Sequence, residues 1–248
     1  MTYFEKTFCT TILLGCAFSM EIPASAQFGG LAGQLAGAAQ KHAQSGSLSS
    51  SKIADGLKQA LQIGADKAVS LTGRPGGYSD NPAIRIGLPG NMRMLESGLK
   101  ALGYGPKLDA FTASMNKAAE SAAPAAKQIF ANAITSMSFE DARKILNGGD
   151  TSATDYFKQK TSAQLTTAFR PAVEKAMKDN SVVTQYDALT SHASSIPFMK
   201  SQSLDINSYV ISKALDGLFY TLGQQEKAIR SDPAARTTSL LKQVFGHS

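Results

Sequence analysis

From residue 52 onward, apolar side chains recur three and four positions apart. Ile53, Leu57, Ala60, Leu61, Gly64, Ala68 and Leu71 share one helical face, while Lys52, Asp55, Lys58, Gln59, Gln62 and Asp66 fill the rest. The spacing predicts an amphipathic helix stopped by Gly73 and Pro75. The period is then lost over 73–90. A short alternation, Ile84, Ile86 and Leu88 against Arg85 and Gly87, predicts an extended stretch over 82–89. It either pairs as a very short β element or lies across the helices. An ordered loop this long calls for a packing or functional role.

Helical spacing returns over 91–102, ending at Gly103, and continues through an Ala-rich run, 106–137, restarted at Pro124. Ser138 with Asp141 has the form of a capping box for a helix over 139–146. Asn147-Gly148-Gly149 ends that helix, and Asp150 to Thr154 offers caps for the next. Thr161 with Gln164 reads as a further box, opening a helix that runs to Lys178 and bends at Pro171. Another helix is expected over 182–194, before a loop at Pro197. Residues 209–222 are apolar almost all round, which predicts a central buried helix. Asp232-Pro233 then caps a last helix ending at Phe245-Gly246. Strands do not alternate with helices, so the expected fold class is all-α: a single multi-helix bundle of about eight or more short helices, with one long irregular or extended loop.

The first residues obey a different pattern. Lys6 precedes a mostly apolar stretch, Thr7 to Met20, too short to span a bilayer, and Ala24-Ser25-Ala26 has the small-x-small form of a cleavage site. Residues 1–26 therefore read as an export signal, which predicts a periplasmic or exported protein. Leu13-Leu14-Gly15-Cys16 offers a competing reading, a membrane-anchored lipoprotein acylated at Cys16. Soluble export is favoured, because apolar residues continue past Cys16. Both cysteines, Cys9 and Cys16, lie in this leader, so a chain cut after Ala26 folds without disulfides. Residues 27–50, rich in Gly, Ala and Ser, read as a spacer, and 51–246 as the all-α domain.

Composition narrows the function classes. With 43% apolar and 18% charged residues in 248, the chain is globular rather than disordered, and no run is long enough for a transmembrane helix. The net charge of +6 comes from scattered cations, most with an acid within four residues, as in Glu96/Lys100, Glu140/Lys144 and Glu174/Lys178. That is a solvated mixed surface without the basic, aromatic-interleaved patch of a nucleic-acid groove; peripheral membrane contact remains compatible with it.

Catalytic and cofactor signatures are missing: no paired histidines at metal spacing among His42, His192 and His247, no nucleophile elbow and no phosphate loop. No catalytic residue, metal or cofactor is assigned. Three constellations are candidates for ligand contact. Asn147, Gly148, Gly149 and Asp150 could cradle an anion at the next helix N-terminus, against a plain reading as linked helix caps. Asp216, on the apolar 209–222 helix, is expected to be buried and therefore partnered, either by a ligand or by Lys213 or an arginine. Arg85, Arg230 and Arg236 could hold a phosphate or carboxylate, against a plain reading as ties to helix-end carbonyls.

Four segments together carry a resemblance: Asn81 to Pro89, Ala142 to Thr151 with Tyr156-Phe157, Lys213 to Phe219, and Ile229 to Arg236 running on to Gly246. They resemble the exported bacterial family catalogued as domain of unknown function 4197, over about Ser51 to Gly246. The resemblance implies one helical domain and an envelope location, and brings no activity or ligand. The leading expectation is a non-catalytic protein that binds an envelope partner or an apolar ligand, with the methionines beyond the leader lining adaptable surfaces. The alternatives are a hydrolase or lyase using Asp150 and Asp216, and a structural lipoprotein tethered through Cys16.

Overall fold

A computed structural model of the chain describes residues 50–179 and 205–236, together with 184, 188, 238, 239 and 242. All of them lie in one compact unit, Ser49–Ser248. They form seven α-helices: α1 Ser50–Gly73, α2 Gly90–Ala101, α3 Gly105–Ala122, α4 Ala126–Thr135, α5 Phe139–Leu146, α6 Ser152–Asp179 and α7 Ile206–Ser231. Single 3-10 turns follow α3 at Ala123–Ala125 and α7 at Pro233–Ala235. The all-α bundle expected from the pattern is what forms, with no strand among the described residues.

The helix ends follow local chemistry. Gly103, at φ +86°, closes α2 in a Schellman arrangement: its N–H donates to Lys100 O and that of Tyr104 to Leu99 O, at 3.0 and 2.9 Å. Pro124, which has no N–H to give, separates α3 from α4. Ala118, Ala119, Ala122, Ala123 and Ala126 around it are wholly buried and let α1 approach closely. Ser138 and Asp141 form the complete capping box of α5.

The core sits where α7 lies against α6, α1 and α3. Phe130 of α4 meets Phe157 of α6 edge-on at 5.1 Å and Phe219 of α7 at 6.2 Å. Met92, Met115, Met137 and Met177 are all core residues, so these four do not line a surface as expected. Two further expectations are corrected. The 161/164 box does not start a helix: α6 begins at Ser152, and Thr161 donates its hydroxyl back to Phe157 O at 2.7 Å inside it. And α7 is not apolar all round, because Ser212, Lys213, Asp216 and Tyr220 form an exposed stripe. Of the helix expected over 182–194 only 184 and 188 are described, both helical. The leader, the spacer up to 49, Cys16, the three histidines and most of the last expected helix lie outside the described residues.

Candidate functional site

The loop 147–151 joins α5 to α6, and α7 satisfies both helix ends that meet there. α6 is not capped by Asp150 to Thr154 alone. Glu226 of α7 accepts the Ala153 N–H at Oε1 and the Thr154 N–H and hydroxyl at Oε2, at 2.9, 2.9 and 2.8 Å. The same carboxylate takes Arg230 through Nε and Nη2, at 3.1 and 3.0 Å. Arg230 then donates to the terminal carbonyls of α5, Ile145 O at 2.7 Å and Leu146 O at 3.4 Å. An anion does sit at this helix N-terminus, and it is the protein's own. The void beside the pair, against Leu57, Leu61 and Phe157, is only about 20 Å³ and so holds no ligand. Asn147, Gly148, Gly149 and Asp150 are exposed.

The other arginines divide. Arg236 donates to Ile229 O and Arg230 O at 3.1 and 2.7 Å, closing the C-terminus of α7. Arg85 is exposed on the 74–89 segment, whose neighbour Ile84 lies against Gly217. Thirteen residues of helix, about 20 Å, separate that level from Arg230, so the three do not converge. Asp216 is likewise exposed, not buried: it pairs with Lys213 at 3.0 Å on the solvent stripe of α7. It stands ten residues, about 15 Å, from Glu226, whose carboxylate holds the first turn of α6 just beyond Asp150. The two acids nominated for catalysis therefore share no site.

The 74–89 segment is a strap across α3 and α7, made of hydrogen-bonded turns over 75–80 and 82–84 and of irregular backbone over 85–89. Ile84, Ile86 and Leu88 point inward and are buried. Instead of a neighbouring strand, one side chain supplies the ladder: Asn116 of α3 accepts the Ile86 N–H and donates to Ile86 O, both at 2.9 Å. The strap starts in a tight turn with Gly76 at φ +80°, where a side chain would strain the backbone. At Gly77 a Cβ would come within 2.5 Å of Thr72 O. The turn drives Tyr78 into the bundle, its ring against Gly217 and its hydroxyl donating to Ala214 O at 2.5 Å. Glu120 of α3, also buried, accepts the Tyr78 and Ser79 N–H groups and the Ser79 hydroxyl at 3.1–3.2 Å. Burial first, and the Glu120 charge second, push the Tyr78 phenol well above its ordinary value. Tyr209 ties the far end of the strap, donating to Gly87 O at 3.0 Å.

Sequence reasoning missed Glu226, Glu120, Asn116 and Tyr78. For Glu226 the signal was available: Glu226 and Arg230 stand i, i+4 at the end of an apolar helix. For the other three, the partners are distant in sequence; Asn116 and Glu120 were hinted at only as polar residues in an Ala-rich helix, and Tyr78, in a turn, by nothing local.

A concave surface remains open where α5 crosses the first turns of α1. Ile53, Ala54, Phe139, Ala142 and Leu146 line a groove of about 360 Å³, with Arg143 and Asn147 at its rim. Phe139, one residue inside the α5 cap, is 51% exposed. The volume falls within the ordinary range of ligand sites, about 300–1,000 Å³. A second groove, between α6 and α7, carries Lys158, Arg170 and several hydroxyls over Leu215 and Phe219. Its Ser162, Thr166 and Ser208 hydroxyls are spent on bonds to their own helices or caps. Among the described residues no group of His, Cys, Asp and Glu is arranged to hold a metal, and no helix is long and apolar enough to cross a membrane.

The family described as Protein of unknown function (DUF4197) matches residues 47–246. No curated protein and no solved structure matches the chain.

Proposed function

The chain belongs to the DUF4197 family, whose description carries no activity to inherit, and we propose from its geometry that it is a non-catalytic binding protein of the cell envelope. Its binding surface is the α5 groove. One observation carries this reading: Phe139, Leu146 and Ile53 present apolar surface around an open concavity, while the strap and the Glu226 clamp spend their polar groups on internal bonds. Apolar side chains left at a concave surface favour an apolar occupant, because covering them releases the water they order. The envelope location is supported by the export-signal pattern of residues 1–26.

Native mass spectrometry of the protein isolated from envelope fractions tests both parts. The expected result is a stoichiometric apolar adduct on the wild-type protein that Phe139→Ala loses. An adduct-free wild-type protein overturns the binding reading, and recovery in the cytoplasmic fraction overturns the location.

A further inference from the structure

We infer that the α5 groove takes a single-chain anionic amphiphile, its alkyl chain on the apolar floor and its carboxylate on Arg143. The inference rests on the binding reading above and goes further by assigning the ligand's head group. The charges of α5 decide it. Glu140 is taken by Lys144 at 2.9 Å. Asp141 is taken by the Ser138 hydroxyl and backbone N–H, whose bonds hold its carboxyl below the usual range. Both acids of the helix therefore have cationic or hydrogen-bonding partners of their own. Arg143, exposed at the groove rim, has no carboxylate partner among the described residues.

An apolar floor with one uncompensated guanidinium at its edge matches a molecule with one alkyl chain and one anionic head. The planar donor fork of arginine binds a carboxylate through two parallel hydrogen bonds, which a neutral head cannot accept at the same strength. A groove of about 360 Å³ lies at the small end of ligand sites, which favours one chain over a two-chain lipid. The free amphiphile is therefore the assigned ligand, ahead of the same chemistry embedded in a bilayer.

The test is calorimetric titration of the full chain with dodecanoate and with dodecyl maltoside, each below its micelle concentration. Dodecanoate is expected to bind one to one. Arg143→Gln should weaken it about tenfold, and Arg143→Lys less, as expected when a charge-assisted bidentate contact is removed or reduced. Phe139→Ala should weaken both amphiphiles. Thermal melting of each variant verifies that it is folded, as substitutions at these exposed positions should leave it. Equal affinity for the two amphiphiles, unchanged by Arg143→Gln, overturns the head-group assignment and leaves the apolar groove standing. No binding of either, or binding indifferent to Phe139→Ala, overturns both. Binding only to anionic vesicles, with no titration of the free amphiphile, overturns the single-molecule ligand in favour of a membrane surface.

Discussion

The 74–89 strap and the α5 groove meet the same problem, the apolar flank of a helix, and treat it in opposite ways. Over α3 and α7 the flank is covered by the chain itself; Asn116, Glu120 and Tyr209 satisfy the covering backbone, and Ala214 O accepts the Tyr78 hydroxyl. Over the first turns of α1 the flank is left concave, with Phe139 half in solvent. Covering a helix with irregular backbone creates polar groups that need partners, and buried side chains were placed on two helices to meet that need. Leaving a flank open needs no such machinery. The first arrangement is therefore intolerant of change and the second tolerant of it, and a graded set of substitutions separates them.

The largest effect is expected at the clamp, which works as the strap does, by satisfying backbone from a distant helix. Glu226→Ala orphans the Ala153 and Thr154 N–H groups and leaves Arg230, 14% exposed, without its acid. Breaking a buried pair of this kind costs about 3–5 kcal/mol. The midpoint of thermal unfolding should fall by roughly 6–20 °C at this chain length. A fall of a degree or two would show the clamp to be no more than a surface ion pair.

Next comes Gly217→Val, beneath the strap. A Cβ at this position would lie 2.6 Å from Tyr78 Cε1 and 3.1 Å from Ile84 Cβ, so the buried ring must move. Overpacking of this kind costs about 1–3 kcal/mol. Gly98→Ala on α2, where a Cβ meets nothing within 4 Å, should instead stabilise by up to about 1 kcal/mol through helix propensity. Denaturant unfolding of the two variants should shift in opposite directions.

The contrast also explains what could be read without the structure. Periodicity and capping signals are local, so α1, α2, α5 and the Pro124 break were legible from residues a few positions apart. The alternation over 82–89 marked Ile84, Ile86 and Leu88 as the inward side chains. The extended stretch it predicted is cut short: 82–84 forms a turn on Asn81 O, and only 85–89 is free of turns. Two kinds of information were not local. Whether Thr161 caps a helix or lies within one depends on where α6 starts, which Glu226 helps set from 72 residues away. Whether the 82–89 stretch pairs with a strand or a side chain depends on Asn116, which lies 30 residues on from Ile86. Asp216 was placed in the core because its neighbours Leu215, Gly217 and Leu218 are apolar. A helix buried on three sides still has a fourth, and Lys213 and Tyr220 share it with Asp216. The family's four motifs were legible as a resemblance: three of them serve the strap and the clamp, while Ala142 to Thr151 also supplies Ala142, Arg143, Leu146 and Asn147 to the groove.

A smaller effect, with a pH signature, is expected at Tyr78→Phe. Losing the bond to Ala214 O should cost about 1 kcal/mol near neutrality. The folded phenol sits well above its ordinary value of 10.0 and binds its proton more tightly than the unfolded chain does. Its contribution is therefore complete below about pH 10 and lost as pH rises further, because the unfolded state ionises first. Tyr156 and Tyr209, also raised by burial, add to the same slope. Unfolding free energy measured from pH 9 to 11 should fall with pH in the wild type and less steeply in Tyr78→Phe. Identical slopes would mean that the strap admits water to the phenol.

The smallest effect is expected at the open groove, and that is its value. Phe139→Ala keeps the capping box, because Ser138 and Asp141 bond each other and not the side chain between them. Alanine is the better helix former at that position, by a few tenths of a kcal/mol. Against this, the ring loses only the half of its surface that is covered. At about 25 cal/mol per Å² that loss is on the order of 1–2 kcal/mol before relaxation, and an exposed site relaxes readily. The net change should be under about 1 kcal/mol, a shift of about 4 °C at most, well below that of Glu226→Ala. If Phe139→Ala destabilises as much as the clamp variant, the ring is a core residue and the groove is structural. If stability holds while amphiphile binding is lost, the fold keeps this aromatic side chain at its surface for what it contacts outside the chain.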